Sequence, residues 1–230
     1  VDRDDRLDVV SARPYPVAID DPIRFPPRWE LTCKRLLDVV AALFFLVVLS
    51  PLLALVAIAI KLTTPGPVLF RQERVGLDGV VFEVMKFRTM RDGALEELLA
   101  DQESRARYQA NDFKLAPDDP AITTVGRVLR RTSLDELPQL FNVLLGHMSI
   151  VGVRPLLAEE VALRPRADQA LYRTARPGMT GLWQVEGRST VRDDERIRLD
   201  RLYLAQRSLG NDARILLRTP AAVLRTSHAH

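Results

Sequence analysis

Asp135 and Glu136 stand side by side in the stretch SLDELPQLFNVLLG. Two adjacent carboxylates ahead of an apolar run admit two readings. One is a capping box, with Ser133 as N-cap and Glu136 three residues on. That motif is common and accounts for the pair without any chemistry. The other is a reactive pair. Neighbouring helix residues point about 100° apart, so both carboxylates at a helix start can share one mouth. A helix N-terminus also favours the ionised carboxylate that a nucleophile needs. Basic residues elsewhere favour chemistry. Lys86, Arg88, Arg130, Arg131, Arg154 and Arg188 suit a diphosphate ligand, because guanidinium groups pair bidentately with phosphate oxygens. An Arg-rich surface with no phosphate role is the alternative.

These residues need elements to position them. Leu134, Leu137, Leu140, Phe141, Leu144 and Leu145 recur at helical spacing, and Gly146 closes the pattern. Pro138 must lie in or near the first turn, so Asp135 and Glu136 fall at the N-terminus. Val125–Arg131 reads as a short basic helix. Val68–Glu73 and Val80–Phe87 read as a hairpin around Gly76-Leu77-Asp78-Gly79, carrying Lys86 near its end. A polar surface helix spans 94–110. Asp118-Asp119 resembles a metal-binding pair, but capping before Ile122 is the better reading. Residues 156–172 are helical, RPGMTGLWQVEGRS is a loop, and a charged helix lies near 191–208. The tail ARILLRTPAAVLR is amphipathic, suited equally to a membrane surface or to the core.

The chain also carries a run that globular domains lack. From Val39 to Ile60 there are 22 residues without a charge, a length typical of a membrane segment. No small-residue cleavage site follows, so it does not read as a signal peptide. Leu36–Leu62 as one straight helix would be roughly 40 Å long. Ser50-Pro51 interrupts it. Pro51 lacks a donor and clashes with the carbonyl of Val47, so the helix must kink there, and Ser50 can satisfy part of what is freed. Lys34 and Arg35 precede the run, while Lys61, Arg71 and Arg74 follow it. Basic flanks face the cytoplasm, so two of them favour a re-entrant helix–break–helix over a spanning helix. Asp38, four residues after Lys34, reads as its i,i+4 partner.

Bulk properties bound the rest. The 230 residues fit one domain with an anchor. Lys and Arg total 33 against 30 Asp and Glu, a basic excess suited to anionic lipid or phosphate and too small to argue for nucleic acid. A single cysteine, Cys33, excludes an internal disulfide and a cysteine zinc site. Three histidines, two of them in the last three residues, leave little for a histidine metal site. Five prolines among mixed charges mark residues 1–30 as a flexible tail, in which Trp29 suits either a lipid interface or packing.

In order along the chain stand KRLLD with the later Ser50-Pro51, the hairpin with RVGLDG, KFRTM, SLDELPQLFNVL, GVRPLL and RPGMTGLWQVEGRS. Together, from Lys34 to about Leu224, they resemble the bacterial sugar transferase family, the monotopic phosphoglycosyl transferases. The resemblance implies transfer of a sugar-1-phosphate from a UDP-sugar to undecaprenyl phosphate, with release of UMP. It implies Asp135 as the nucleophile that forms an acyl-phosphate and Glu136 as a ligand of Mg²⁺. It implies phosphate and nucleotide contacts at Lys86, Arg130, Arg154 and Arg188, with Arg88 and Gln184 as further ones. It also implies the inner, cytoplasmic membrane of a bacterium and a role in exopolysaccharide, lipopolysaccharide or other glycoconjugate synthesis. Two positions depart from the family pattern. Val153 replaces the first Pro of Pro-Arg-Pro, which predicts a looser loop around Arg154. His147 replaces an Asp and reads as a turn residue.

The expected fold is α+β and predominantly helical. Residues 1–30 form the tail, 31–62 the re-entrant membrane helix and 63–230 a cytoplasmic-face catalytic domain with a small β-hairpin and amphipathic interfacial helices. The expected partners are the UDP-sugar, undecaprenyl phosphate and membrane lipids, without nucleic acid, and a homodimer is compatible with the exposed membrane-bound surface. The competing class is a non-catalytic membrane adaptor of the same fold.

Overall fold

The structure, a computed structural model, describes residues 24–111, 113, 115–116, 118–186 and 193–226. Most of the expected tail, and Arg188, lie outside them.

The apolar run forms two helices, α1 (Arg28–Val48) and α2 (Ser50–Thr63), bent by 63° at Leu49. The break follows from Pro51. The Val47 carbonyl can receive no amide from a proline, and the Ser50 hydroxyl donates to it instead at 2.8 Å. Among the described residues no single helix is long and apolar enough to cross a membrane, but this bent pair is, by length and composition. Leu36, Val40, Leu43, Phe44, Val47, Leu55 and Ile58 lie exposed along it.

The hairpin pairs β1 (Leu69–Val75) with β2 (Val81–Phe87), antiparallel, with Lys86 opposite Phe70. The expected 94–110 helix is two helices, α3 (Ala94–Ala100) and α4 (Gln102–Ala110), because Asp101 accepts the Ser104 amide and caps a new start. Asp119 accepts the Ala121 amide at 2.8 Å, closing a local turn. Next come α5 (Thr124–Thr132), a 3₁₀ turn (Leu134–Glu136) and α6 (Gln139–Leu145), which ends at Gly146 with φ +86°. The chain then forms β3 (Ser149–Val151), α7 (Ala158–Ala162), α8 (Arg166–Leu171), β4 (Gly178–Thr180), α9 (Leu182–Glu186), α10 (Asp193–Gln206) and α11 (Leu209–Thr226). The expected 156–172 helix is divided at Pro165, which is the N-cap of α8. A second small sheet, β3 parallel to β4, was not expected from the sequence. Its strands have three residues each, too few to show a period.

Three apolar clusters hold these pieces. One joins Val151, Leu156, Leu182, Leu204 and Ile215. A second sets Ala42 of α1 against Leu140 and Val143 of α6, with Val84 and Met148. The third sets Val56 and Ile60 of α2 against Leu129 of α5 and Phe87. One arm of the bent pair therefore packs on α6 and the other on α5. The Asp135-Glu136 turn is the link between those two helices. The tail helix α11 packs on the core through Ile215 and Ala222, leaving Leu217 83% exposed.

The charges at the start of the run have another use than the sequence implied. Lys34 does not pair with Asp38. Its ammonium donates to Asp212 at 2.6 Å and to the Val151 carbonyl at 3.0 Å. Asp38 is buried and accepts the Ser149 hydroxyl at 2.7 Å and the Ile150 amide at 2.9 Å. Arg35 caps the Val143 and Leu144 carbonyls at the end of α6. A buried cross-element partner outcompetes an exposed i,i+4 pair worth only about 0.2–0.5 kcal/mol.

Candidate active site

Pro138 decides the local geometry. Inside an α-helix it would clash with the carbonyl of Leu134. The chain instead makes a 3₁₀ turn, Leu137 donating to the Leu134 carbonyl at 3.2 Å, and α6 starts after Pro138 as its N-cap. Ser133 is not a capping-box residue. It takes the left-handed region, φ +58°, and its side chain makes no cap hydrogen bond. Asp135 and Glu136 thus sit in a turn between two helices rather than on the first turn of one.

Four of the expected residues converge there. Lys86, on β2, donates to Glu136 Oε1 at 2.8 Å. Asp135 lies between Glu136, Lys86 and Arg130, each close enough to act on its charge. Burial and the Glu136 carboxylate push the Asp135 carboxyl up to about 6, against the pull of Lys86 and Arg130. This corrects the expectation that a helix N-terminus would keep it ionised. Here desolvation and a like charge outweigh any dipole from a seven-residue helix. A carboxyl near 6 is still ionised above neutral pH, and it is more basic than an ordinary aspartate.

Arg130 is aimed by the strand-side loop. Its Nε donates to the Thr89 hydroxyl at 2.9 Å, and Thr89 also accepts the Thr123 amide at 3.0 Å. α5 approaches this loop through Gly126, where a Cβ would lie 2.0 Å from the Thr89 carbonyl oxygen. We expect Gly126→Ala to cost about 1–3 kcal/mol by overpacking and to lower turnover by displacing Arg130. Urea melts and initial rates measured on the same preparation check both effects.

The other expected residues lie elsewhere. Arg88 is buried, with its guanidinium directed at Pro65 and Thr64 at the end of α2. It therefore caps α2 and does not join the dyad. Arg131 is exposed. Arg154 lies in a second basic group, with Nη2 on Glu160 Oε1 at 3.2 Å and its guanidinium 5.7 Å from the Trp183 ring centre. Gln184 adjoins that group on α9, with Oε1 buried and without a hydrogen-bond partner. Val153 does not loosen the loop. It is 1% exposed, and its carbonyl accepts the Gly178 amide at 2.8 Å, extending the β3–β4 pairing. Asp200 faces the Arg154 backbone amide and accepts the Tyr172 hydroxyl at 2.8 Å. Burial pushes its carboxyl up to about 7. His147 is a turn residue, its amide donating to the Asn142 carbonyl.

Several supporting residues gave no signal in the sequence. Asn142 is fully buried and bonds the edge of β2 like a third strand. It accepts the Met85 amide at 2.9 Å and donates to the Glu83 carbonyl at 2.6 Å, fixing the strand beside Lys86. Tyr108 is within electrostatic reach of both basic groups. Burial raises its phenol, against the pull of Arg74 and Arg130. Its aromatic type alone gave no reason to single it out.

Among the described residues no group of three or more His, Cys, Asp or Glu could hold a metal. The donor set still suits Mg²⁺, which commonly takes one or two carboxylates and completes its shell with water and substrate phosphates. Asp135 and Glu136 supply that number.

A carboxylate pair in a part-buried turn, with Lys86 and Arg130 acting on it and a bent apolar helix pair packed on the two flanking helices, defines a class of site suited to an anionic substrate. The comparisons give this class a family. The family model for bacterial sugar transferases matches residues 29–226, and the chain belongs to that family. It is 46% identical over 202 residues to an undecaprenyl-phosphate galactose phosphotransferase of Salmonella typhimurium, covering 86% of this chain and 41% of that protein. It is 43% identical over 204 residues to a UDP-glucose:undecaprenyl-phosphate glucose-1-phosphate transferase of Caulobacter vibrioides, covering 86% and 72%. It is 41% identical over 193 residues to the exopolysaccharide production protein ExoY of Sinorhizobium fredii, covering 83% and 84%. The chain thus spans about two fifths of the Salmonella relative and most of the other two.

Proposed function

We propose that this chain is a phosphoglycosyl transferase that moves a sugar-1-phosphate from a UDP-sugar to undecaprenyl phosphate. The observation that carries the reading is Asp135, a carboxylate made basic by burial and by Glu136 yet flanked by Lys86 and Arg130. The names of the Salmonella and Caulobacter relatives agree with it. Asp135 attacks the β-phosphorus of the donor, forming an acyl-phosphate as the bond from that phosphorus to the bridging oxygen breaks and UMP leaves. An oxygen of the acceptor phosphate then attacks the same phosphorus and returns the Asp135 carboxylate. Lys86 and Arg130 offset the charge of the diphosphate, and Arg154 and Gln184 extend the contacts towards the nucleotide; Arg188, outside the described residues, is assigned to the same role by its motif alone. Arg88 holds the end of α2 in this reading. Glu136, beside Asp135, would hold Mg²⁺, which when bound stabilises negative charge on the phosphates.

The anchor reads as re-entrant, in the cytoplasmic membrane, with the site on the cytoplasmic side. The start of α1 is bonded to Asp212 and Val151, and the end of α2 to Arg88. Both ends thus rest on one folded body, which a spanning helix would separate by roughly 30 Å of hydrocarbon. Residues 63–230 form the catalytic domain, working at the depth where the acceptor carries its phosphate.

The test is UMP release from a panel of UDP-sugars by the purified chain with undecaprenyl phosphate. Release that depends on the acceptor supports the reading, and a chain inert with every donor is the adaptor instead. Glu136→Gln tests the metal. The Mg²⁺ concentration for half-maximal rate should rise about 10-fold or more. An unchanged titration would remove Glu136 from the metal site.

A further inference from the structure

The second basic group contains more than a phosphate contact. Arg74, at the end of β1, and Arg154 share one carboxylate, Glu160 on α7. Glu160 Oε2 accepts Arg74 Nη1 at 3.0 Å and the Leu157 amide at 2.7 Å, while Oε1 accepts Arg154 Nη2 at 3.2 Å. The Glu160 side chain is 6% exposed, and those of Arg74 and Arg154 are 12% and 13%. Two guanidinium groups on one carboxylate leave one positive charge over. The two arginines are not held equally. Arg74 is further fixed by Gln72 Oε1 at 2.6 Å. Arg154 makes a single side-chain bond, to Glu160, and lies 5.7 Å from the Trp183 ring centre; each arginine keeps one buried nitrogen without a hydrogen-bond partner, Nε on Arg74 and Nη1 on Arg154. Tyr108 is within charge range of Arg74 and Glu160, and Asp200 is within charge range of Arg154 and Arg164.

We infer that Arg74, with the Leu157 amide, neutralises Glu160 so that the charge of Arg154 is available to the donor's diphosphate. Arg74 is then a positioning residue for donor binding. The inference rests on the phosphosugar-transfer reading above. The physical reason is an asymmetry. If Arg154 turns to a phosphate, Glu160 keeps Arg74 and an amide, so no buried carboxylate is stranded. If Arg74 is removed, Arg154 becomes the partner that Glu160 requires. Its charge is cancelled, and leaving would strand the carboxylate. The arrangement separates a structural cation from a working one, which a lone Arg–Glu pair cannot do. It also gives the β1–β2 hairpin a direct role in the site, since Gln72 and Arg74 lie on the strand that pairs with that of Lys86.

The experiment compares donor KM and kcat for the full chain and for Arg74→Met, Glu160→Gln and the double variant, with thermal melts on each. Arg74→Met should raise donor KM about 10–100-fold, the range of a lost charge-assisted contact, and change kcat much less. Adding Glu160→Gln should bring KM back to within about 3-fold of the parent, because a neutral amide no longer holds Arg154. Glu160→Gln alone should leave KM equal or lower. A structural strut makes the opposite forecast, with the double variant as impaired as Arg74→Met or worse and melting lower. That result overturns the inference, as does an unchanged KM in folded Arg74→Met. If the parent chain releases no UMP from any donor, the functional reading itself fails and takes this inference with it. The parent assay therefore comes before any variant.

Discussion

Asp135→Asn should abolish turnover and raise the melting temperature at the same time. Loss of a covalent nucleophile costs at least about 10³-fold in kcat, and an amide oxygen cannot form the acyl-phosphate. The stability change has the opposite sign to that of most substitutions. The Asp135 carboxyl is pushed from its ordinary 3.8 to about 6, chiefly by burial and by Glu136. A raised carboxyl binds its proton more tightly in the folded chain than in the unfolded one. Below about pH 3.8 both states are protonated, and the group costs nothing. Between 3.8 and 6 stability falls as pH rises, and above 6 the full penalty is present. Asparagine removes the charge and hence the penalty. We expect a gain of about 1–2 kcal/mol at pH 8, discounted for the partial exposure of the turn. For a chain of this size that is roughly 2–8 °C. The gain should shrink as the pH of the melt is lowered towards 4. Melts at pH 8 and pH 4.5, with UMP release on the same samples, measure both halves. A variant that turns over normally would remove Asp135 as nucleophile. One that melts lower at pH 8 would mean that the carboxylate stabilises the turn.

The chemistry of this site was more legible in the sequence than its geometry. Pro51 behaved as its covalent structure requires, so the break, and even the bond from Ser50 to Val47, followed from a single residue type. Asp135 and Glu136 were recognisable by type and by their neighbours in the motif. Their conformation was not, because Pro138 has two ways of opening a helix and the left-handed Ser133 leaves no periodic trace. Lys34 and Asp38 show the commoner failure. Their spacing is correct for a helical pair, yet both are bonded to groups more than a hundred residues away. Local spacing cannot register a partner of that kind. The same holds for Arg88, whose motif position implied a ligand while tertiary contacts made it a cap, and for Asn142, which completes a sheet edge.

The two arms of the bent helix pair connect the apolar run to the Asp135-Glu136 turn. α1 packs on α6 and α2 on α5, so the two helices that flank the Asp135-Glu136 turn each rest on one arm of the pair. The bent pair is thus packed against both sides of the site.

Lys86→Met should displace the acid limb of the pH–rate profile upward and not merely lower the rate. The ammonium of Lys86 does two things at the turn. It bonds Glu136 at 2.8 Å, and it pulls the Asp135 carboxyl down against burial. Removing it takes away an opposite charge and leaves Glu136 to act on Asp135 without compensation, and both changes raise the carboxyl further. The profile of kcat/KM for the parent should rise with pH through about 6, as Asp135 ionises. In Lys86→Met the rise should come roughly one unit later, so the loss is large at pH 6.5 and partly recovered at pH 8.5. A residue that only bound phosphate would depress kcat/KM by the same factor at every pH. Adding Glu136→Gln to Lys86→Met separates the causes, because it removes the like charge that Lys86 had offset. The limb should then move back down, even though the double variant is slower overall at high pH. If the limb stays at the parent position in Lys86→Met, the charge of Lys86 does not reach Asp135, and the pairing with Glu136 is a surface contact worth little in a site about one third exposed.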